Sequence, residues 1–279
     1  MSIPVVILGI FFGTACYVTM LRINLSDMDS GRRIGSGGCE SGGCKTIGAR
    51  EIQEDYYGVV ENEHGTMAVL ADGMGKCFGG RIASRIAVET FQNMFCETNA
   101  FYNPQYYFKK AFHAANHEIV NQLNGERGSA SVAAVMVKDR KLYYAVVGNV
   151  RVAVYRKGDL IPVSSGHTIN VLAKQQYTEG KLTKQEAISL LEHHRLYNYV
   201  GQDGFHDIEF FDTPITLNGG EIITLMSDGL YDSLSWKAIE DCLAGGGSCN
   251  EMALELIELI NHRTDEEQDN ASVVLLRVG

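Results

Sequence analysis

Four short acidic motifs stand at the ends of apolar, strand-like segments of the chain. They are Glu54-Asp55, Asp72-Gly73-Met74-Gly75, Ser227-Asp228-Gly229 and Asp269-Asn270. Carboxylates at strand ends can converge on one rim of a sheet even when they are far apart in sequence. Because such carboxylates repel each other unless a cation lies between them, and because hard oxygen ligands suit Mg²⁺ or Mn²⁺, the motifs predict a metal-dependent site acting on phosphate. Each motif on its own could equally be an ordinary turn.

The segments that must position these motifs are a mixture of strands and helices. Apolar patterns and turn residues predict strands at 56–60, 66–71, 131–137, 141–147, 150–156, 221–227 and 272–278, and helices at 80–97, 104–123, 183–194, 235–243 and 250–262. Helices that flank β-hairpins do not follow the strict strand–helix alternation of a doubly wound sheet. The order of elements therefore predicts an α+β sandwich of antiparallel sheets faced by helices.

The first part of the chain contains a long apolar stretch. Residues 3–21 carry no charge and are just long enough to cross a bilayer core, which predicts a transmembrane anchor over residues 1–23. A cleaved signal peptide is disfavoured, because neither a basic n-region nor a small-x-small cleavage site is present. Arg22, Arg32 and Arg33 follow the stretch, so the positive-inside rule predicts a single-pass cell-membrane protein with a cytoplasmic C-terminal domain. A buried core helix and an uncleaved export signal are the alternatives.

A segment rich in Gly and Ser follows the apolar stretch. Residues 24–46 lack apolar periodicity, which predicts a flexible linker and leaves residues 47–279 as one large domain. Cys39 and Cys44 lie in this segment. They could form a redox or metal site, or they could be linker thiols without a role.

The overall composition is that of a globular protein, with 45% apolar and 21% charged residues. The net charge is −10, and no basic stripe is visible in the sequence. Nucleic acid is therefore not expected as a partner.

Taken together, the motifs resemble those of the metal-dependent serine/threonine protein phosphatases of the 2C type, in the same order, from about residue 48 to the end. The matching segments are Arg50-Glu51-Ile52-Gln53-Glu54-Asp55, Asp72-Gly73-Met74-Gly75, Gly128-Ser129-Ala130-Ser131, Gly148-Asn149-Val150-Arg151, Ser227-Asp228-Gly229-Leu230-Tyr231-Asp232 and Asp269-Asn270-Ala271-Ser272. One such motif would be weak, but several in order with compatible spacing are strong. The resemblance implies a four-layer αββα sandwich with two central antiparallel sheets in the predicted domain 47–279.

The resemblance also implies an activity and a role for each matching residue. The activity is hydrolysis of phosphoserine and phosphothreonine in proteins by a water activated by two Mn²⁺ or Mg²⁺ ions, with a serine/threonine kinase acting on the same targets as the expected partner. Asp72 would bridge the two ions, the Gly73 carbonyl would bind one of them, and Asp228 and Asp269 would hold the second. Glu54 and Asp55 would act largely through water, and Arg50 would bind the substrate phosphate through its guanidinium group.

One position departs from the family pattern. Asn149 stands where the family has an aspartate that helps to hold a third metal, together with residues matching Asp228 and Asp232. An amide oxygen can still bind a hard cation, but one negative charge is lost. We therefore expect the third metal to bind weakly or not at all.

Two other functions compete with a protein phosphatase. The first is a catalytically weak or inactive relative that uses the fold as a binding or sensing module, an alternative that Asn149 favours. The second is a phosphatase of small molecules, since the core motifs recognise phosphate and metals rather than the rest of a substrate. The complete set of core residues favours the enzyme.

Overall fold

The computed structural model describes residues 38–191, 195–205, 207–263 and 267–279, and all of them belong to one compact unit. The predicted transmembrane anchor over residues 1–23 and most of the predicted linker lie outside the described residues. Within the described ranges, no helix is both long enough and apolar enough to cross a bilayer.

The structure contains two antiparallel sheets. The strands are β1 (Cys39–Thr46), β2 (Tyr56–Asn62), β3 (Gly65–Gly75), β4 (Gly128–Lys138), β5 (Lys141–Val147), β6 (Arg151–Arg156), β7 (Asp159–Pro162), β8 (Glu209–Phe210), β9 (Ile215–Thr216), β10 (Ile222–Met226) and β11 (Ala271–Val278). One sheet has the order β1-β11-β10-β6-β7, and the other has the order β2-β3-β4-β5-β8 with β9 also paired to β5. The predicted α+β class with antiparallel sheets and helices is confirmed.

Most of the helices pack against the two sheets, whereas the pair at 169–178 and 184–190 pack against each other. The helices are α1 (Gly79–Glu97), α2 (Pro104–Leu123), α3 (Ile169–Thr178), α4 (Lys184–Leu190), α5 (Asp228–Ser233), α6 (Trp236–Ala244) and α7 (Cys249–Asn261), with a 3-10 turn at Ala100–Tyr102. The larger core cluster joins the two sheets to each other and to α1 and α2, and the second cluster lies between the five-stranded sheet, α6 and α7. Because β4 and β11 are covered on both faces, nearly every residue in them is buried.

The predicted linker over residues 24–46 is wrong in its last part. Residues 39–46 form β1, which pairs with β11 along its whole length. Its glycines serve close packing rather than flexibility: a side chain at Gly42 would collide with the backbone at the start of α7, and one at Gly43 would meet the ring of Tyr57. Local composition does not distinguish these two uses of glycine.

Of the two alternatives for Cys39 and Cys44, a shared redox or metal site is not compatible with β1. Cys39 is buried in the core between the sheets, whereas Cys44 packs against the cluster under α7. Residues five apart on a strand point to opposite faces. The two thiols therefore cannot form one site.

The observed bounds of some helices agree with the predicted bounds, whereas those of others differ. α2 has the predicted bounds, because Pro104 occupies its first turn and the Asn103 side chain accepts a hydrogen bond from the Tyr106 amide at 3.0 Å. The helix predicted at 183–194 is observed as α4, which begins at Lys184 after a Thr183–Glu186 capping box and ends at Leu190. Among the described residues, β1, β7, β8, β9, α3 and α5 were not predicted.

Candidate active site

The four acidic motifs converge at one end of the two sheets. Glu54-Asp55 immediately precedes β2, the Asp72 motif ends β3, Asp228 follows β10, and Asp269-Asn270 precedes β11. They surround a cavity of about 710 Å³. Its walls include Arg50, Glu54, Asp72, Gly73, Met74, Asn149, Asp228, Asp269 and Asn270. Sheet topology thus brings together carboxylates that the sequence separates widely.

Two of the predicted residues lie outside this cavity. Asp55 is buried directly behind it, with 2% of its surface exposed. Asp232 lines a neighbouring cavity of about 230 Å³, which also contacts Asp228 and Asp269. Asp228 is therefore in contact with both cavities, and its pKa is sensitive to the charge of Asp232. The predicted third-metal set of Asn149, Asp228 and Asp232 is divided between the two cavities.

Asp72 is held by an extended strand and not by a turn. β3 continues through Gly75, because residues 72–75 pair with residues 128–131 of β4. Position 73 requires glycine because a side chain there would collide with the carbonyl of Gly80, at the start of α1. The glycine thus lets β3 approach α1 and leaves its own backbone at the cavity wall.

The carboxylates of the site stabilise each other's protonated forms. Burial raises the pKa of Asp72 well above its ordinary value, and the charges of Asp55 and Asp228 raise it further. Burial, followed by the charge of Asp269, raises the pKa of Asp228, whereas the hydrogen bond between Asp228 and Asp72 lowers the pKa of Asp228 and raises that of Asp72. Burial raises the pKa of Asp55 to about 6, although the Ser227 hydroxyl donates to Asp55 Oδ2 at 2.9 Å.

Asn270 joins two of the acidic motifs. Its Oδ1 accepts a hydrogen bond from the Glu54 amide at 2.7 Å, and its Nδ2 donates to the Ile47 carbonyl at 2.8 Å. The Asn270 amide in turn donates to Asp269 Oδ1 at 2.8 Å. Asn270 is buried and positions the loop that carries Arg50 and Glu54. The sequence motif showed the residue but gave no indication of this role.

Arg50 forms a bidentate ion pair with Asp269. Its Nε and Nη2 atoms donate to Asp269 Oδ1 and Oδ2, each at 2.9 Å. Both side chains are about half exposed. The predicted phosphate-binding residue and a predicted metal ligand are therefore in direct contact.

Asn149 is fixed by its surroundings and donates to a carboxylate. Its Nδ2 donates to Asp228 Oδ2 at 2.8 Å, while the Tyr231 hydroxyl donates to the Asn149 carbonyl at 2.9 Å. The preceding Gly148 amide donates to Nδ1 of the buried His167 at 3.1 Å. The amide of Asn149 thus partly compensates the charge of Asp228.

The residues at this end of the sheets fit a divalent cation. Glu54 Oε1, Asp55 Oδ1 and Asn149 Oδ1 are buried and have no hydrogen-bond partner within the described residues. The donor set consists of carboxylate, amide and carbonyl oxygens, which suit Mg²⁺ and Mn²⁺. No three acidic, histidine or cysteine side chains of the described chain form a closed ligand set by themselves. Mg²⁺ sites of this kind, with few protein ligands, usually retain several waters.

The two antiparallel sheets and the carboxylate-lined cavity define an α+β protein with a candidate divalent-metal site. Comparison with known proteins identifies its family. The family model described as Protein phosphatase 2C matches residues 43–248, so the chain belongs to the protein phosphatase 2C family. The resemblance inferred from the motifs is confirmed.

Individual relatives agree with this assignment. The chain is 28% identical over 237 residues to "Serine/threonine phosphatase stp" of Listeria welshimeri, covering 81% of this chain and 90% of that protein. The structure of the S. agalactiae serine/threonine phosphatase matches with a TM-score of 0.75 and 25% identity, over 86% of this chain and 100% of the other. The catalytic domain of the phosphatase PstP in complex with 2 manganese ions shares the fold, with a TM-score of 0.67, 22% identity, and coverage of 87% and 99% of the two chains.

Proposed function

We propose that this protein hydrolyses phosphoserine and phosphothreonine in proteins, using two Mn²⁺ or Mg²⁺ ions. The observation that carries the proposal is the convergence of Asp55, Asp72 and Asp228 in and behind one cavity, with pKa values raised by burial and mutual repulsion. Membership of the protein phosphatase 2C family supports the same activity. The manganese bound by the PstP relative supports the choice of metal.

Each residue of the site has a role in this proposal. Asp72 and the Gly73 carbonyl would hold one ion, and Asp228 and Asp269, together with Asp72, would hold the other. Bound divalent ions supply positive charge for the phosphoryl oxygens and lower the pKa of water. Among the described residues that line the cavity, Arg50 is the single basic one, and its planar guanidinium group suits two phosphate oxygens.

Residues behind the cavity hold the ligands in place. The Ser227 hydroxyl donates to Asp55 and accepts from the Ser272 amide at 2.9 Å, so it joins the segments before β2, after β10 and within β11. Glu54 and Asp55 are proposed to orient water near the ions through their carboxylate oxygens. The rigidity of this buried network keeps the ligands at a fixed separation.

A peptide assay with the full-length chain tests the proposal. Turnover of a phosphothreonine peptide in the presence of Mn²⁺ supports the protein phosphatase. Turnover no higher than that of an Asp72→Asn control would favour the catalytically weak binding module, for which the hydrogen bond from Asn149 to Asp228 is the supporting observation. Turnover confined to small phosphate esters would indicate a small-molecule phosphatase.

We also propose that a serine/threonine kinase acts on the same substrates. A further proposal is that residues 3–21 anchor the protein in the cell membrane, with the domain in the cytoplasm. The support is the uncharged length of this segment and the arginines that follow it. Resistance of the full-length chain to carbonate extraction from membranes would support the anchor. Release of the wild type into the soluble fraction, to the same extent as a Leu8→Arg variant, would contradict the anchor.

A further inference from the structure

The ion pair between Arg50 and Asp269 involves every atom by which Asp269 could hold a ligand. Asp269 Oδ1 accepts from Arg50 Nε and from the Asn270 amide, and Asp269 Oδ2 accepts from Arg50 Nη2. A cation that binds either oxygen of Asp269 would therefore lie next to the guanidinium group of Arg50. Two positive groups cannot both approach the same carboxylate at contact distance without repelling each other.

The same pair also occupies one of the two-donor edges by which Arg50 could hold a phosphate. The bidentate contact uses Nε and Nη2, which form one of the edges that a guanidinium group presents to an oxyanion. Arg50 is exposed at the cavity wall, so its side chain can turn away from Asp269 without leaving the site. The arginine therefore has two alternative partners, a protein carboxylate and a phosphate.

We infer that Arg50 and a divalent cation compete for Asp269, so that cation binding releases Arg50 for the substrate phosphate. This inference rests on the proposed function, because it requires that the cavity binds Mn²⁺ or Mg²⁺. In this structure Arg50 is the counter-ion of Asp269. When a cation binds Asp269, the guanidinium group loses its partner and turns to the phosphate. Metal binding and phosphate binding are thereby coupled through one side chain.

The coupling is modest in size. Both side chains are about half exposed, so water and salt screen the pair, although bidentate geometry makes it stronger than an ordinary surface ion pair. Removing Arg50 should therefore tighten Mn²⁺ binding at the Asp269 site about two- to fivefold. The direction is the distinctive result, because loss of a residue that serves only the substrate would leave metal affinity unchanged.

Calorimetric titration of the full-length chain with MnCl₂ tests the inference. Arg50→Gln is compared with Arg81→Gln, an exposed arginine at the start of α1 that makes no ion pair with Asp269. We expect tighter Mn²⁺ binding in Arg50→Gln only. In an Asp269→Asn background, Arg50→Gln should have no effect on the affinity of the remaining ion, because the shared carboxylate is gone.

Three outcomes separate this inference from the proposed function. Equal Mn²⁺ affinity in the wild type and in Arg50→Gln overturns the inference. The proposed phosphatase activity then still stands if the wild type hydrolyses the peptide. An equal gain in Arg50→Gln and Arg81→Gln would reduce the effect to general electrostatics and also overturn it. Failure of the wild type to bind Mn²⁺ or to hydrolyse the peptide would contradict the proposed function itself. Circular dichroism checks that each variant is folded.

Discussion

Two regions of the molecule bury acidic side chains in opposite ways. Glu221 immediately precedes β10, at the end of that strand opposite to Asp228. It is 7% exposed and accepts hydrogen bonds from Arg156 Nε and Nη2, each at 2.7 Å. Burial alone would raise the pKa of Glu221, but the bonds from Arg156 and Asn218 hold it below its ordinary value. At the cavity, burial raises the pKa values of Asp55 and Asp72, and neighbouring carboxylates add to the effect.

The difference distinguishes a structural carboxylate from functional ones. Glu221 has a counter-ion of its own and contributes to folding as an ion pair. The carboxylates of the cavity face each other, and the single basic residue in the lining, Arg50, pairs with Asp269 at the rim. A cluster of this kind costs stability in the metal-free protein and binds cations in return.

The largest expected effect comes from removing the central carboxylate. Asp72→Asn should lower kcat for a phosphothreonine peptide at least about a thousandfold, since several kcal/mol of charge stabilisation depend on the ions that Asp72 would hold. The same substitution removes a buried carboxyl group whose ionised form is disfavoured by burial and by its neighbours, so the metal-free protein should melt at a higher temperature. Activity within tenfold of the wild type would show that Asp72 is not a ligand.

The next effect concerns pH. The pKa of Asp55 is raised to about 6 in the folded chain from 3.8, so the folded state binds this proton more tightly than the unfolded state. Below about pH 4 both states are protonated and there is no cost. As the pH rises from about 4 through 6, the unfolded chain loses this proton before the folded chain does, which should remove up to about 3 kcal/mol of stability from the metal-free protein.

Urea unfolding of the metal-free chain between pH 4 and 7 measures this loss. Asp55→Asn cannot ionise and should lose less stability over the same range. Saturating Mn²⁺ should suppress the loss in the wild type, because ligand binding stabilises the folded state. A wild type and variant with parallel pH profiles would argue against a raised pKa at Asp55.

A smaller effect is expected at the paired carboxylate. Glu221→Gln removes one partner of the Arg156 pair and should lower the free energy of unfolding by about 1–2 kcal/mol. It should leave kcat with Mn²⁺ unchanged, because Glu221 lies outside the cavity. Glu221→Gln should thus lose stability and keep activity, whereas Asp72→Asn should lose activity and gain stability. A Glu221→Gln variant that loses activity without losing stability would contradict the contrast between the two regions.

The smallest effect is expected at Asn149. Asn149→Asp replaces the amide that donates to Asp228 by a second carboxylate. An additional Mn²⁺ should then bind roughly tenfold more tightly, which corresponds to about 1.4 kcal/mol. Calorimetric stoichiometry and affinity identical to those of the wild type would contradict a role for Asn149 in weakening a third site.

Much of the fold could be predicted from sequence because its signals are local. The proline and apolar stripe of α2 define that helix without reference to the rest of the chain. β1 could not be predicted, since its glycines are explained only by the backbone of α7 and the ring of Tyr57. The extension of β3 through the Asp72 motif likewise depends on pairing with β4.

The candidate site shows the same limit. The residue types and their order were sufficient to predict which carboxylates would converge. The contact between Arg50 and Asp269 joins residues 219 positions apart, and the bridge from Asn270 to Glu54 joins residues 216 apart. Such pairings depend on sheet order and register, and single-sequence patterns carry no direct signal for them.

The position of β1 also affects how the domain can be produced on its own. β1 is the edge strand that covers β11, whose residues are almost all apolar. A fragment that begins at residue 47 would lack this cover and leave the backbone groups of β11 unpaired. Long, flat, apolar edge strands recruit further strands from other molecules. A fragment beginning at residue 47 should therefore aggregate, whereas one that retains residues 38–46 should remain monodisperse.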